Sequence, residues 1–326
     1  AGAVLRWDGM AWSHVDAGTT EALESIWGFG EDDVWVAGRG GTLLHWDGAN
    51  WSHVELGTTA PLMAIWGSRA TDIWVAGYGV RYHFDGDTWT QSDGPTFGWD
   101  AGVSLFGFGD DDVWQPTSGR GMARFDGVEW VGHAGAGGYN RGVWGASTDA
   151  LIVVSRDSID HWDGETWSTE QGAPRGGGGD GIWGASADDV WVVGRSGEIK
   201  HWDGETWVVV ESTGGGLRGV WGSSSDDVWA VGDGGRIHHF DGSAWSLSAG
   251  SVGESGIASL SAVWGPGDDE LWAVGAGVIL HRRGGRWTPE RDLEGLEALT
   301  LEAVWGSGRG DVWAVGARRE NREQRM

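Results

Sequence analysis

Short runs of hydrophobic residues, separated by Gly and Asp, recur along the whole chain. The stretch "SADDVWVVGRSGEIKHWDGETW", residues 186–207, contains runs rich in Val, Ile and Trp, and each run is followed by Gly or Asp. Nearly the same phrase occurs at residues 30–51 and 223–245. Short runs of this composition, bounded by turn-forming residues, are typical of β-strands. The pattern predicts an all-β protein built from a tandem repeat.

Four landmarks mark each repeat, one on each predicted strand. They are an aromatic residue before Gly, the Trp of a "DVW"-like motif, an aromatic residue before "DG", and a Trp four residues after that Asp. In one repeat they are Trp183, Trp191, Trp202 and Trp207, and of the 27 Trp residues only Trp99 lies outside the four positions. Successive first landmarks are about 40 residues apart, which predicts four short antiparallel strands, or one propeller blade, per repeat.

The two ends of the chain determine the predicted number of blades. The chain opens on the third and fourth strands of a repeat, in "AVLRWDGMAW", and closes on the first and second, in "LEAVWGSGRGDVWAVG". The sequence therefore predicts a single domain over residues 1–326, an eight-bladed β-propeller with four antiparallel strands per blade. Its eighth blade is a 2+2 strand velcro shared by about residues 1–15 and 299–317, with residues 318–326 as an Arg-rich tail. Such closure hides strand edges that an open array would expose.

The repeated Trp, His and Asp residues are predicted to be structural. A buried aromatic side chain removes ~150–250 Å² from water, and identical Trp positions suit blades packed face to face. A His precedes the third landmark in six repeats, as in His45 and His201, and each is expected to contact a neighbouring blade. The Asp residues are expected to accept backbone N–H groups in turns, and the "DG" pair indicates a two-residue type I′ hairpin. No metal and no cofactor is predicted.

Composition excludes several functional classes. The chain has no Cys, which excludes disulfides and thiolate chemistry. Its formal net charge is −26 and Lys200 is its one lysine, which argues against binding to nucleic acid. No apolar run approaches the ~18 residues that a membrane-spanning helix needs.

The stretch "WAVGDGGRIHHFDGSAW", residues 229–245, resembles the repeats of bacterial Asp-box propellers, including the BNR-like repeats of photosystem II assembly factors and sialidases. It is most similar to the Trp-rich "WG…DVWAVG…WDGxxW" repeats of large bacterial surface proteins. The resemblance covers nearly the whole chain, and it implies propeller blades and an extracellular or cell-surface location in a bacterium. Because the Asp box is a turn-forming element, the resemblance implies no catalytic residue.

Candidate ligand-binding residues lie where the repeats differ. The second-to-third connections and the connections between repeats differ most and share one face, here called the variable face; the opposite face carries many of the acidic residues. The position four residues after the second-landmark Trp holds charged or aromatic residues in some repeats and Ser or Ala in others. Such an uneven rim suits one asymmetric ligand on the propeller axis. The candidate residues are Arg39, Tyr78, Trp99, Arg120, Tyr139, Arg195 and Asp233.

The sequence predicts a non-catalytic extracellular or cell-surface module that recognises a protein partner or a glycan through the variable face. A lectin-like carbohydrate-binding propeller is the main alternative, because Arg, Tyr and Trp side chains offer hydrogen bonds and stacking surfaces. A sialidase- or glycosidase-like hydrolase is a further alternative, and it would need two carboxylates about 5–9.5 Å apart across a sugar.

Overall fold

The fold was analysed in a computed structural model of the chain. In the residues it describes, the strands form eight sheets of four antiparallel strands, which confirms the eight-bladed β-propeller. Three single turns of 3-10 helix, Arg39–Gly41, Asp233–Gly235 and Leu296–Ala298, lie between strands. The described residues are 2–95, 104–116, 121–135, 140–155, 158–170, 180–248, 259–267 and 270–319.

The blades are numbered in chain order, and the strands of each are given from the innermost to the outermost. Blades 1 to 4 are β3 (Leu23–Gly30), β4 (Asp33–Gly38), β5 (Leu43–Trp46) and β6 (Trp51–His53); β7 (Leu62–Arg69), β8 (Asp72–Gly77), β9 (Val80–Phe84) and β10 (Trp89–Gln91); β11 (Phe106–Gly109), β12 (Asp112–Pro116), β13 (Gly121–Phe125) and β14 (Trp130–Ala134); and β15 (Asn140–Ser147), β16 (Ala150–Ser155), β17 (Ile159–Trp162) and β18 (Trp167–Thr169). Blades 5 to 8 are β19 (Gly181–Ser186), β20 (Asp189–Val193), β21 (Glu198–Trp202) and β22 (Trp207–Ser212); β23 (Leu217–Ser224), β24 (Asp227–Gly232), β25 (Ile237–Phe240) and β26 (Trp245–Leu247); β27 (Leu260–Trp264), β28 (Leu271–Gly275), β29 (Val278–Arg283) and β30 (Arg286–Pro289); and β31 (Leu299–Gly308), β32 (Asp311–Arg318), β1 (Gly2–Trp7) and β2 (Trp12–Val15).

Blade 8 closes the ring with strands from both ends of the chain. Strand β1 pairs with β32 along its whole length, from Gly2 opposite Ala317 to Trp7 opposite Val312. The predicted 2+2 closure is confirmed. The boundary of the tail differs by one residue, because Arg318 pairs with Leu299 and belongs to β32.

The first strand of each blade lines the propeller axis, because it contacts the first strands of the two neighbouring blades. Each first-landmark aromatic lies near the next blade at this inner ring. A Cβ atom added at Gly222 would lie 2.6 Å from Cη2 of Trp183, and one added at Gly184 would lie 2.6 Å from Cζ2 of Trp144. At five such positions, Gly28, Gly107, Gly184, Gly222 and Gly306, the Gly is therefore needed to admit the indole of the preceding blade.

Farther from the axis, Trp side chains pack the blades together. The ring centroid of Trp191 in blade 5 lies 4.8 Å from that of Phe240 and 5.2 Å from that of Trp245, both in blade 6. In blade 7, Arg282 replaces the third-landmark aromatic and its guanidinium lies 4.7 Å from the ring centroid of Trp229. The second-landmark Trp residues are among the most buried side chains of the chain, as predicted.

The repeated His contacts its own blade at five of the six positions. Among the described residues, the expected contact with a neighbouring blade is confirmed only for His83, His161 and His281. In blade 5, His201 Nε2 donates to Asp189 Oδ1 at 2.7 Å, and its ring stacks on Trp191 with centroids 4.1 Å apart. Register explains the contact, because His201 is paired directly with Trp191. In blade 4 the Asp is replaced by Ala150, and there His161 Nε2 instead accepts the indole N–H of Trp207 from blade 5 at 2.6 Å.

The hairpin between the third and fourth strands is longer than predicted. Trp202 pairs with Trp207, so four residues form the loop and the two-residue type I′ prediction is wrong. Asp203 Oδ1 accepts the backbone N–H groups of Glu205 at 2.9 Å and Thr206 at 2.7 Å, while Gly204 adopts a φ of 92°. These backbone hydrogen bonds lower the pKa of the Asp203 carboxyl. The Asp therefore shapes the turn, as the sequence analysis expected.

Candidate binding site at the axial mouth

On the variable face, one residue near the start of six innermost strands lies outside the regular pairing among the described residues. In β3 the register shifts between Leu23 and Ser25, which leaves Glu24 as a bulge. Corresponding shifts occur in β7, β15, β23, β27 and β31. Asp180 takes the same sequence position just before β19, where its backbone N–H bonds to the carbonyl of Val193. A bulge re-aims a side chain without breaking the sheet. We call these residues the bulge ring: Glu24, Met63, Arg141, Asp180, Arg218, Ser261 and Glu302.

A second set of residues surrounds the bulge ring on the same face. These are the residues four positions after the second-landmark position, where the second strand of each blade ends. We call them the outer rim, and the two sets together the axial mouth. The described members of the outer rim are Arg39, Tyr78, Ser155, Arg195, Asp233, Ala276 and Ala317.

The electrostatic contacts of Glu302 show that the bulge ring converges on the axis. Glu302, on blade 8, interacts with Glu24 and Arg39 on blade 1 and also with Arg218 on blade 6. Blades 6 and 8 are not neighbours, so this last interaction runs past blade 7. Glu302 is exposed at the mouth, but desolvation by the crowded inner strands and the nearby Glu24 carboxylate raise its pKa, and the two Arg side chains only partly offset that effect.

Asp180 lies between two Arg side chains from different blades. Its Oδ1 accepts a hydrogen bond from Nη1 of Arg141, and its Oδ2 accepts one from Nε of Arg195 at 3.1 Å. The Asp180 side chain is 12% exposed and that of Arg195 is 65% exposed, so the carboxylate lies below a largely solvent-facing guanidinium. A single carboxylate thus holds two cations at the rim.

Asp233 has a similar arrangement one blade further on. Its Oδ1 accepts a hydrogen bond from Nε of Arg218 at 2.9 Å and another from the Ser259 hydroxyl at 3.0 Å. Burial alone would raise the pKa of this carboxyl, but the hydrogen bonds from Arg218 and Ser259 outweigh burial and lower it. Asp233 is therefore an ionised acceptor that orients Arg218.

Arg39 completes the charged part of the mouth. Its Nε donates to Glu24 Oε1 at 2.7 Å, and this hydrogen bond raises the pKa of the guanidinium. Tyr78 lies close enough to interact electrostatically with Arg39. Like Arg195, Arg39 remains largely exposed, at 62% of its side chain, although its Nε is fixed by an internal carboxylate.

The structure thus brings four predicted site residues, Arg39, Tyr78, Arg195 and Asp233, to one face of the propeller. The other three candidates, Trp99, Arg120 and Tyr139, lie outside the described residues, so their part in a site stays a prediction.

The bulge ring was not among the predicted site residues, although the sequence contains a signal for it. The position three residues before the first-landmark aromatic is occupied by Glu24, Met63, Arg141, Asp180, Arg218, Ser261 and Glu302 in the described blades. Such chemical variety inside an otherwise repetitive strand indicates a position that packing does not constrain. Five of these residues are charged, against three of the described residues of the outer rim.

Across the portions that the structure describes, no group of three or more His, Asp or Glu side chains could hold a metal ion. Over the same portions, no helix is long and apolar enough to cross a membrane.

Comparison with known proteins places the chain by its fold. No family model matches the sequence, and a search of curated proteins also gives no match. Among solved structures, YCF48 bound to D1 peptide is 16% identical with a TM-score of 0.63, covering 92% of this chain and 90% of that one. YCF48 from Cyanidioschyzon merolae is 14% identical with a TM-score of 0.63, covering 95% and 97%. The computationally designed Ika8 protein is 13% identical with a TM-score of 0.73, covering 92% and 97%. At these identities the likeness concerns the propeller fold.

Proposed function

We propose that this chain is a non-catalytic binding or scaffold module that recognises a segment of a partner protein at the axial mouth. The observation that carries the proposal is the fixed orientation of exposed Arg side chains. Arg39 and Arg195 each donate through Nε to a more buried carboxylate, Glu24 and Asp180. Side chains fixed before binding lose less conformational entropy when a ligand arrives.

The free edges of these guanidinium groups determine the favoured ligand chemistry. Among the described residues, no hydrogen bond from the terminal nitrogens of Arg39 or Arg195 is seen. The planar Arg fork donates two parallel hydrogen bonds to a carboxylate. We therefore propose that the partner segment presents a carboxylate, from Asp, Glu or a chain terminus, to this part of the mouth.

The charged residues are unevenly distributed around the mouth, which favours one asymmetric ligand over eight equivalent ones. The charged residues belong to blades 1, 4, 5, 6 and 8, whereas other positions hold Met63, Ser261, Ala276 and Ala317. A protein segment offers both charged and apolar groups along its length and suits such a surface. The similarly folded YCF48 has been solved with a bound peptide, which supports a peptide-sized ligand.

A glycan is the alternative ligand, because Arg and Tyr78 could hydrogen-bond and stack on a sugar. An extracellular or cell-surface location in a bacterium remains part of the proposal, and it rests on the resemblance of the repeats to those of surface proteins. Fractionation of cells that produce the natural protein tests the location, since recovery in the cytoplasm would contradict it.

The experiment compares the chain with its Arg195→Ala variant on a displayed library of random peptides and on a glycan array. In this variant Arg141 still neutralises Asp180. Arg69→Ala is the matched control, because Arg69 donates through Nη2 to Asp110 in an exposed ion pair on the opposite face. The proposal expects enriched acidic peptides whose binding falls about tenfold, or about 1.4 kcal/mol, in Arg195→Ala and is unchanged in Arg69→Ala.

Three results would contradict this function. Equal loss of binding in both variants would place the site elsewhere. Glycan binding without peptide binding would favour the lectin, and turnover of fluorogenic sialosides or glycosides by the purified chain would favour the hydrolase.

A further inference from the structure

The outermost strand of blade 5 differs from its counterparts in length and in chemistry. Strand β22 has six residues, whereas β6, β10, β18 and β26 have three each. Three consecutive Val residues in β22, at 208, 209 and 210, are 49%, 47% and 42% exposed. In β10 the residues that correspond to Val208 and Val209 are the polar Thr90 and Gln91. Long apolar edge strands are normally avoided because they pair with other chains.

The backbone of β22 can accept a further strand. It is the last strand of its sheet, so one edge has no paired strand in the described residues. The loop before it is closed by the N–H of Asp203 bonded to the carbonyl of Thr206. Because hydrogen-bonded and non-hydrogen-bonded pairs alternate in antiparallel strands, Val208 bonds to β21 and Val209 directs its N–H and C=O outward. The register shifts after Val209, where Val210 forms a bulge, so the added strand pairs along the regular part of the edge that ends at Val209.

A groove lies beside this edge, between blades 5 and 6. It has a volume of about 490 Å³, and its walls include the aromatic side chains of Trp191 and Trp245. Val210 and Glu211 of β22 also line it, and Asp189 adds a second carboxylate. The groove thus combines aromatic walls, two acidic groups and direct contact with the exposed edge strand.

We propose that β22 and this groove form a second binding site, distinct from the axial mouth, for an extended segment of a partner protein. The segment adds a fifth strand to blade 5 and contacts the exposed Val side chains with alternating apolar residues. One Arg or Lys of the segment enters the groove beside Trp245 and meets Glu211. Strand addition supplies affinity through main-chain hydrogen bonds, and the groove supplies specificity.

Charge complementarity identifies the side chain that enters the groove. The groove presents two carboxylates, Asp189 and Glu211, and none of its described lining residues is Arg or Lys. Both sides of the Trp191 ring are already covered, by His201 with centroids 4.1 Å apart and by Phe240 with centroids 4.8 Å apart. A cation delivered by a partner therefore pairs with the Glu211 carboxylate rather than with the face of Trp191.

The same observations disfavour a second copy of this chain as the occupant. Strand β22 has the sequence WVVVES and contains neither Arg nor Lys, so a copy that paired with it would bring no cation to the groove. Two copies, each with a formal net charge of −26, would also repel one another.

The test uses a labelled synthetic peptide of alternating Thr and Val with one central Arg, and a second peptide with Gln in place of Arg. Binding is measured by fluorescence anisotropy, and deuterium exchange is followed over residues 207–212. The Arg peptide is expected to bind and to slow exchange in β22. Val209→Pro removes the outward N–H and should weaken binding at least about tenfold, or about 1.4 kcal/mol. Gln91→Pro, at the same position of β10, is the matched control and should bind as the parent does.

The groove is tested separately from the edge. The Gln peptide should bind the parent at least about fivefold more weakly than the Arg peptide, and Glu211→Gln should abolish that difference. Failure of the Arg peptide to bind, equal effects of Val209→Pro and Gln91→Pro, or protection of exchange elsewhere would overturn the strand-addition proposal. Equal binding of the two peptides would overturn the cation site. Arg195→Ala should leave all of these results unchanged, which separates this site from the axial mouth.

Discussion

The contribution to stability of the hydrogen bond between the repeated Asp and Trp can be measured by comparing Trp229→Phe with Trp191→Phe. Trp229 Nε1 donates to Asp227 Oδ1 at 2.8 Å, whereas among the described residues Trp191 Nε1 has no acceptor. Both indoles are almost fully buried, at 1% and 2% exposure. Each substitution removes about 50 Å² of buried apolar surface, or about 1 kcal/mol at ~25 cal/mol/Å².

The two sites also differ in one ring contact, because Arg282 lies 4.7 Å from the centroid of Trp229 whereas Phe240 contacts Trp191. A Phe at position 229 keeps an aromatic ring under Arg282, so the hydrogen bond is the larger difference. A bond to a charged acceptor contributes about 1.5–3 kcal/mol, but Asp227 keeps His239 and Ser223 as donors. Trp191→Phe also removes a buried N–H without an acceptor, which offsets part of its cost. We expect Trp229→Phe to lower the free energy of unfolding by about 1–2 kcal/mol more than Trp191→Phe.

Urea unfolding of both variants and the parent measures this difference, provided that the slopes agree. A cost of Trp191→Phe equal to or greater than that of Trp229→Phe would refute the assignment of stability to the Asp–Trp bond. Trp229→Ala extends the series, since loss of the whole buried ring should cost about 3–5 kcal/mol.

Three further predictions concern the ring and the mouth. Because desolvation and Glu24 raise the pKa of Glu302, ionisation of Glu302 lowers the stability of the fold as the pH rises through the folded-state pKa. Glu302→Gln should therefore be more stable than the parent at neutral pH and equal to it below the ordinary carboxyl pKa. A pH series of urea midpoints with the opposite trend would contradict a raised pKa at Glu302. Deletion of residues 1–15 removes two strands of blade 8 and should greatly lower the melting temperature, so a change of only about a degree would argue against closure. Gly222→Ala would place a Cβ 2.6 Å from Trp183 and should cost about 1–3 kcal/mol in urea unfolding, while Gly308→Ala, which meets nothing within 4 Å, should be nearly neutral.

The propeller could be predicted because its repeated residues each have one packing role. The Trp positions fix which strands meet, and the Gly after the first-landmark aromatic is required in most blades by an aromatic ring of the preceding blade. Finer features depend on register, which spacing alone does not determine. His201 was assigned to the wrong blade because its pairing with Trp191 was not known, and the "DG" loop was predicted two residues too short because the loop-closing pair is Trp202 with Trp207.

The candidate site was only partly predictable for the same reason. Arg39, Tyr78, Arg195 and Asp233 were found because they follow the buried second strand at a constant distance. The sequence around Glu24 is that of a regular strand, and only the register shift in β3 identifies Glu24 as a bulge. The long edge at β22 is also visible in the sequence as three consecutive Val residues, but its exposure depends on the strand being outermost.

The bulge ring has a consequence for how such a protein can change over generations. A bulged residue takes no part in the regular ladder of its sheet, so its replacement leaves the pairing of the strands intact. The contrast between Met63, Arg141 and Glu302, at one position of three blades, shows that very different side chains are accommodated there. Duplication of a blade therefore copies the fold together with one position that accepts different residue types. Proteins that share this repeat can change the ligand they recognise by substitutions at these positions, while the ring of blades is preserved.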